Sequence, residues 1–232
     1  MRKKKGLRYS YTNHDSRGSK FINKNFNKTS SYQTNFSESE FTNTSLVGTK
    51  FKLSAFYSTI FDSCYIRGTL FKKCNLQEAK FKDCIISASI FEQCKLKGAR
   101  FERCKILSST RINDTMSKVS FLDVEFFEKY PDEAMFNPSL IDIMLNLRKC
   151  DSIRRSTVLH RKKGKLDTVS LKMLVDIFGE DFLIKHLDSL PDVITNDFYS
   201  LSYIIKALQR KTVNGIVTTP GSAALGAPKL NE

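Results

Sequence analysis

The sequence predicts a solenoid of short repeated turns, mainly β in character, followed by a small all-α domain. Three observations predict it. An apolar residue stands at nearly every fifth position of residues 21–106, a register of small residues lies two positions before each of these, and helical periodicity appears after Pro131. The 232-residue chain is also strongly basic, with a formal net charge of +14.

The five-residue period fits neither a helix nor a single strand, which need apolar spacings near 3.6 and 2. At the 41% hydrophobic composition, about 7 of the eighteen positions should be apolar by chance, whereas all but Ser31 are Phe, Leu or Ile. The pattern indicates a chain that turns a corner every five residues. The positions are Phe21, Phe26, Ser31, Phe36, Phe41, Leu46, Phe51, Phe56, Phe61, Ile66, Phe71, Leu76, Phe81, Ile86, Phe91, Leu96, Phe101 and Ile106.

Units such as Cys64-Tyr65-Ile66 and Ala79-Lys80-Phe81 resemble the pentapeptide-repeat family, whose motif is small-x-large-x-x. The resemblance covers about residues 19–110. It implies a right-handed, four-sided β-helix of about 20 residues per coil, in which residues 20 apart stack at roughly 4.8 Å. The core would then be a column of stacked Phe and Leu side chains.

We expect four segments. Residues 1–18 form a basic polar head or N-terminal cap, and residues 19–127 form the β-helix. Within it, 111–127 is a degenerate last coil, because Arg111 breaks the register that Met116, Phe121 and Phe126 keep. Residues 128–212 form the helical domain, and 213–232, rich in Gly, Ala, Pro and Thr, form a flexible tail.

Five short helices are predicted in the helical domain from their apolar spacing and end signals. The first starts at Pro138 and Ser139 and runs to Lys149, and the second covers about 151–161. The third is capped by Ser170 and stopped by Gly179. The fourth starts at Asp181 and is ended by Pro191, and the fifth covers 198–210.

Five cysteines lie ten residues apart. In the implied coil, Cys64, Cys84 and Cys104 stack on one side, and Cys74 and Cys94 stack on the opposite side. Metal ligands come as close pairs that converge on one point, whereas these cysteines form lines. We therefore expect small, buried core residues rather than a metal or cofactor site.

The charge is uneven along the chain: residues 1–20 carry +6, residues 21–110 carry +7, and residues 111–232 carry +1. Basic side chains of this kind either keep a surface solvated or bind a polyanion. The candidate polyanion-binding residues are Lys50, Lys52, Lys72, Lys73, Lys80, Lys82, Arg100, Arg103, Arg154, Arg155, Arg161, Lys162 and Lys163.

The resemblance also raises a conflict. The quinolone-resistance pentapeptide proteins look like DNA duplexes and present acidic surfaces to DNA gyrase. A rod with a net charge of about +7 cannot present an acidic surface to a DNA-binding protein. A shared fold also does not imply a shared function.

One face of the implied coil is apolar. Its outward residues Val47, Tyr65, Ile85 and Leu107 form a candidate partner face. Three alternatives are open: the helical domain or a second copy covers this face, a foreign protein docks on it, or it is simply exposed.

Nothing in the sequence indicates catalysis. His14, His160 and His186 lack a neighbouring nucleophile–base motif, and the ten-residue gap between Cys150 and His160 is weak support for a dyad. Phosphate-binding glycine loops are absent as well. Without a signal peptide or a run of 18 apolar residues, we expect a soluble, cytoplasmic protein.

The first functional hypothesis is a non-catalytic scaffold or interaction protein, whose rod contacts a protein partner or a second copy within an assembly. The second is a basic nucleic-acid-associated module, whose binding would weaken steeply with salt. The third, from the family alone, is a topoisomerase-directed or defence-type factor.

Overall fold

The computed structural model describes residues 9–107, 111–112, 119–194 and 196–214. Its first part is a parallel β-solenoid built from very short strands. They are β1 (Tyr11–Thr12), β2 (Lys20–Ile22), β3 (Ser30–Tyr32), β4 (Glu40–Thr42), β5 (Lys50–Lys52), β6 (Ile60–Asp62), β7 (Tyr65–Arg67), β8 (Leu70–Lys72), β9 (Lys80–Lys82), β10 (Ile85–Ser87), β11 (Ile90–Glu92), β12 (Arg100–Glu102), β13 (Lys105–Leu107), β14 (Arg111–Ile112), β15 (Ser120–Leu122) and β16 (Glu125–Phe127).

The solenoid has four sides. Sheet A contains β1, β3, β5, β8, β11 and β14; sheet B contains β2, β4, β6, β9, β12 and β15; sheet C contains β7, β10, β13 and β16. On the fourth side, here called the bridge face, single parallel bridges join Asp15, Asn35, Ala55, Asn75 and Lys95 in turn. Partners such as Phe41 and Phe61 are 20 residues apart. The predicted four-sided coil is confirmed.

A left-handed residue makes each corner and explains the five-residue period. Two residues after each large inward residue, the backbone φ is positive, as at Asn23 (54°) and Lys28 (60°). Glycine adopts this conformation without a steric penalty and occupies several corners. At Gly98 a Cβ would meet only the flexible carboxylate of Glu78, so the left-handed φ of 74° is what favours glycine at this corner.

The core consists of stacked aromatic rings that continue from coil to coil. The Phe61 and Phe81 rings are 4.7 Å apart and the Phe81 and Phe101 rings 4.6 Å apart, each pair within 4° of parallel. Rings of neighbouring columns meet edge to face, as Phe81 does with Phe91. Burial of one such side chain stabilises the fold by about 1.5–3 kcal/mol.

Several of the small residues that lie two positions before the large inward residues also form hydrogen bonds. Thr44 Oγ1 donates to the carbonyl of Phe21 at 2.8 Å, Thr59 Oγ1 to that of Phe36 at 2.7 Å, and Cys84 Sγ contacts that of Phe61 at 3.3 Å. The donor lies 23 residues after the acceptor in each case. Ser, Thr and Cys therefore fit this register because they are small and also donate to the neighbouring coil.

The last strand of the solenoid ends at Phe127, the predicted boundary, whereas the solenoid starts earlier than predicted. It begins before residue 19, since Tyr11 pairs with Ser31, and the Tyr9 ring stacks on Phe26 at 4.5 Å. In the last coil Ile112, rather than Arg111, is in register with Phe91, a separation of 21 residues. One extra residue therefore precedes β14. Residues 1–8, Met116 and most of the predicted tail lie outside the described residues.

The second part is helical. Its helices are α1 (Pro138–Asn146), α2 (Asp151–Ser156), α3 (Thr168–Phe178), α4 (Glu180–His186), α5 (Leu190–Val193) and α6 (Leu201–Asn214). Short 3-10 turns cover Glu133–Met135, Leu147–Lys149 and Lys162–Gly164.

Several helix boundaries differ from the prediction for local reasons. Helix α2 ends at Ser156, because Thr157 adopts a left-handed φ of 58°. The cap of α3 is Asp167, whose side chain accepts a hydrogen bond from the Ser170 N–H; Ser170 lies inside the helix. Pro191 lies in the first turn of α5, where its missing N–H costs nothing. Helix α6 starts three residues after Phe198 and continues to Asn214.

Candidate interaction surface

The predicted partner face lies on and beside sheet C, and the chain's own helices cover it. Tyr65, Ile85 and Leu107 are at most 3% exposed and belong to the same hydrophobic cluster as the helical core, with Val47 packed against it. Of the alternatives left open by the sequence, the structure shows intramolecular cover. A foreign partner on this face is therefore not supported, because the outward side chains of Tyr65, Ile85 and Leu107 are buried inside the protein and that of Val47 is partly buried.

Helices α3 and α6 make this contact. Their residues Met173, Leu201 and Ile205 line a cavity of about 20 Å³ together with Tyr65 and Ile85. A space of that size holds about one water molecule, so the two surfaces fit closely. Ser202 Oγ on α6 also donates to Asn43 Oδ1 in the solenoid at 2.6 Å.

A buried polar cluster lies in the same contact. The Tyr65 hydroxyl donates to Asp167 Oδ2 at 2.6 Å, and Arg67 Nη1 lies 3.7 Å from that oxygen. Asp167 Oδ1 accepts from the Ser170 N–H at 3.2 Å. Burial raises the pKa of the Asp167 carboxyl, although Tyr65, Ser170 and Arg67 oppose the shift. Burial also raises the pKa of Tyr65 well above its usual value, so Tyr65 stays a protonated donor.

A second polar contact joins sheet C to the far end of α3. Lys105 pairs with Glu125 on the next coil and donates to Asp176 Oδ2 at 2.8 Å. Partial burial raises the pKa of Asp176, but hydrogen bonds from Lys105 and Lys172 bring it below its ordinary value. Helix α3 is therefore anchored to the solenoid near both of its ends, at Asp167 and at Asp176.

Most predicted basic residues of the helical region already have partners within the chain. Arg161 lies 3.6 Å over the ring of Tyr130, and its Nε donates to the Leu166 carbonyl at 2.7 Å. Arg154 pairs with Asp151, and Arg155 with Asp197. Lys162 and Lys163 are exposed in the 3-10 turn. These five residues include three with structural contacts and two that are simply exposed.

On sheet B, basic side chains pair with acids of adjacent coils. Lys82 lies 3.8 Å from Asp62, and Arg103 forms a bidentate pair with Asp83 at 2.8 and 3.0 Å. Lys80 and Arg100 are exposed and form no ion pair within the described residues.

On sheet A, fewer of the predicted basic residues form ion pairs than on sheet B. Lys72 pairs with Glu92 at 2.6 Å, whereas Lys50, Lys52 and Lys73 are exposed and form no ion pair among the residues that the structure describes.

The corner between sheet A and the bridge face carries lysines beside exposed apolar groups. We name Tyr32, Lys52, Leu53, Lys73 and Lys95 the corner patch. Tyr32 pairs with Lys52 on adjacent coils, and Leu53 N–H donates to the Lys72 carbonyl, which places Leu53 directly before Lys73 in the stack. Leu53, Lys73 and Lys95 line an open groove of about 280 Å³. The patch is solvent-facing on the side of the solenoid away from sheet C.

Leu53 is unusual within the patch. It holds a left-handed corner with φ of 53°, and its side chain is 45% exposed. Elsewhere in the described chain, left-handed corners carry polar, charged or small residues. Leu53 therefore holds a strained backbone conformation although its side chain is not buried. Residues with local strain of this kind are concentrated at functional sites. The sequence analysis missed this signal, because it used the five-residue period only for the core.

A family model described as a pentapeptide repeat region matches residues 34–111. The match covers less than half of the chain. The resemblance seen in the sequence is thereby confirmed for this part of the chain. A search of curated proteins returned no match.

Solved structures that resemble the protein include a pentapeptide repeat protein from the Arabidopsis thaliana thylakoid lumen. It is 12% identical, with 68% of this chain and 90% of that chain covered and a TM-score of 0.32. Rfr23 from the cyanobacterium Cyanothece 51142 is 9% identical, with 50% and 86% covered and a TM-score of 0.23. Full-length QnrB1, a plasmid-mediated fluoroquinolone resistance protein, is 12% identical, with 51% and 92% covered and a TM-score of 0.15. At these scores the likenesses carry no argument about function.

The cysteines of the pentapeptide repeat region form two columns, as predicted. Cys84 interacts with both Cys64 and Cys104, and Cys74 interacts with Cys94. All carry free thiols. Within the described part of the chain, no group of three or more His, Cys, Asp or Glu side chains could hold a metal ion.

Each of the three histidines contacts other residues of the fold. His160 is buried, its Nε2 lies 2.9 Å from the Met144 carbonyl, and burial lowers its pKa. The His14 ring stacks on Tyr11, and the His186 ring contacts Phe182. Among the helices that the structure describes, none combines the length and apolar character needed to cross a bilayer.

Proposed function

We propose that the protein is a non-catalytic interaction protein that binds an acidic protein surface through the corner patch. The observation that carries this proposal is the contrast in ion pairing. On sheet B, Lys82 and Arg103 pair with acids of the preceding coil and only Lys80 and Arg100 stay unpaired, whereas none of the corner-patch lysines Lys52, Lys73 and Lys95 has an ion pair within the described residues. Unpaired lysines beside exposed Tyr32 and Leu53 can attract an acidic surface and then bury apolar area against it.

The position of the helical region supports the same proposal. It covers sheet C and so leaves the corner patch exposed on the far side of the solenoid. A rigid stack holds the patch residues at fixed spacing, which reduces the conformational entropy lost on binding. The helical region stabilises the solenoid in this scheme and does not compete for the patch.

The acidic-protein partner is preferred to nucleic acid because the patch combines only one aromatic ring, Tyr32, with an aliphatic Leu53. Single-stranded nucleic acids are usually held by several aromatic side chains on which successive bases stack.

A site-specific photocrosslinker at position 53 tests the proposal, with the captured protein identified by mass spectrometry. Lys52→Glu with Lys73→Glu should reduce capture by at least about tenfold, because two attractive charges become repulsive. The matched control, Lys80→Glu with Arg100→Glu, changes the charge equally on sheet B and should leave capture unchanged.

Equal loss in both double variants would show that net charge alone drives capture, and the proposed surface would be wrong. Capture that disappears after nuclease treatment would favour the nucleic-acid alternative instead.

A further inference from the structure

The two cysteine columns have the same geometry but different access to solvent. In the first column, Cys64, Cys84 and Cys104 are at most 2% exposed. In the second, Cys74 is 1% exposed but lines the 280 Å³ groove, and Cys94 is partly exposed. Access, rather than spacing, therefore separates the columns.

We propose that Cys94 and Cys74 form a peroxide-sensitive dithiol, in which Cys94 reacts first and Cys74 then closes a disulfide. The assignment does not depend on the proposed partner. Adjacent coils hold the pair together: the Lys95 N–H donates to the Cys74 carbonyl at 3.0 Å. Stacked coils are spaced at about 4.8 Å, which lies within the range of about 4.4–6.8 Å for the Cα atoms of a disulfide.

The surroundings of Cys94 favour its thiolate, which is the reactive form. A hydrogen bond from the Cys74 thiol lowers the pKa of Cys94, and the same bond raises the pKa of Cys74. Partial burial opposes this effect, and so does Glu92, which is paired with Lys72 at 2.6 Å. Lys73 and Lys95 line the groove together with Cys74 and add positive charge on that side of the pair.

In the first column all three thiols are buried. Burial raises the pKa of Cys84 well above its usual value. The hydrogen bond to Cys84, followed by burial, raises the pKa of Cys104 as well. A protonated, buried thiol reacts slowly with peroxide, so this column serves as an internal control.

The chemistry balances with hydrogen peroxide as the oxidant. The Cys94 thiolate attacks one peroxide oxygen, the O–O bond breaks, and hydroxide leaves, which gives a sulfenic acid at Cys94. The Cys74 sulfur then attacks the Cys94 sulfur, the S–O bond breaks, and the oxygen leaves as water with the thiol proton. Two thiols lose two electrons in total, and one peroxide is reduced to two waters.

The test treats the full chain, carrying Cys150→Ser, with hydrogen peroxide. It maps sulfenic acid with a dimedone trap and disulfides by peptide mass spectrometry. We expect Cys94 to react at least about tenfold faster than each cysteine of the first column, and a Cys74–Cys94 disulfide to follow. In a Cys74→Ser variant the sulfenic acid at Cys94 should persist, because no thiol can resolve it.

The substitution suits the site, because Ser54 already occupies the position one coil before Cys74. Cys84→Ser is the matched control and should leave the Cys74–Cys94 reaction unchanged. Two outcomes would overturn the proposal: oxidation spread equally over both columns, or no adduct at Cys94 at a peroxide concentration that oxidises Cys150 in the unmodified chain.

Discussion

Sheet C and the bridge face are opposite sides of one solenoid, and the same five-residue motif builds both. Sheet C presents Tyr65, Ile85 and Leu107 outward and is buried under helices α3 and α6. The bridge face presents Asn75 and Lys95 and stays open. The inward registers are alike, so the difference lies in the outward residues alone. The repeated motif therefore determines the shape of the coil. The outward residues, which the motif does not specify, determine what each side contacts.

The largest effect should come from a charge placed under the helices. Ile85→Asp buries a carboxylate without a partner, and we expect a loss of about 3–5 kcal/mol in unfolding free energy, or release of α3 and α6 from sheet C. Urea unfolding and hydrogen exchange of the two helices measure these outcomes.

Asn75→Asp places the same carboxylate on the open bridge face and should change stability by no more than about 0.5 kcal/mol. Similar losses for the two variants would mean that sheet C is not covered in solution.

A smaller effect is expected at the polar contact. Tyr65→Phe removes the hydroxyl that donates to Asp167 at 2.6 Å and leaves a buried carboxylate underbonded. Denaturant unfolding should show a loss of about 1–3 kcal/mol. Tyr57→Phe, at a ring that is 45% exposed, serves as the control and should be neutral. A neutral Tyr65→Phe would mean that water replaces the lost bond.

The smallest effects concern pH, and the two aspartates of α3 should act in opposite directions. The folded pKa of Asp167 is raised above its ordinary value of 3.8. Its contribution is therefore fully present below that value and is lost as pH rises through the folded pKa. Asp167→Asn should remove this decline from the stability profile above about pH 4.

The folded pKa of Asp176 is lowered, so its contribution is present above the ordinary value of 3.8 and is lost as pH falls through the folded pKa. Asp176→Asn should reduce stability near pH 7 by less than about 1 kcal/mol, because the Asp176 carboxylate is partly exposed and solvent screens its ion pairs. Unfolding midpoints between pH 3 and 7 measure both variants. A shared sign would contradict the assigned surroundings.

The solenoid could be predicted well from the sequence, because the five-residue pattern that specifies it is local and repeated. The stacking of Phe61, Phe81 and Phe101, and the two cysteine columns, follow directly from the five-residue period. The helix boundaries were predicted less well, because Thr157 and Asp167 act through backbone conformation and side-chain capping that apolar spacing does not reveal. The candidate site was predicted only in part, since ion pairing between coils separates Arg103 from Lys73, and both look alike in a list of basic residues.

The sequence by itself determined the coil, the aromatic core and the direction in which every solenoid residue points, because a chain that turns every five residues has one way to bury its large side chains. Tertiary structure alone decided which sides remain open. Helices α3 and α6 bury apolar area against sheet C and so exclude solvent from it. The corner patch and Cys94 stay accessible because no segment of the described chain packs against them. Docking between distant segments depends on three-dimensional complementarity, which a local period does not encode.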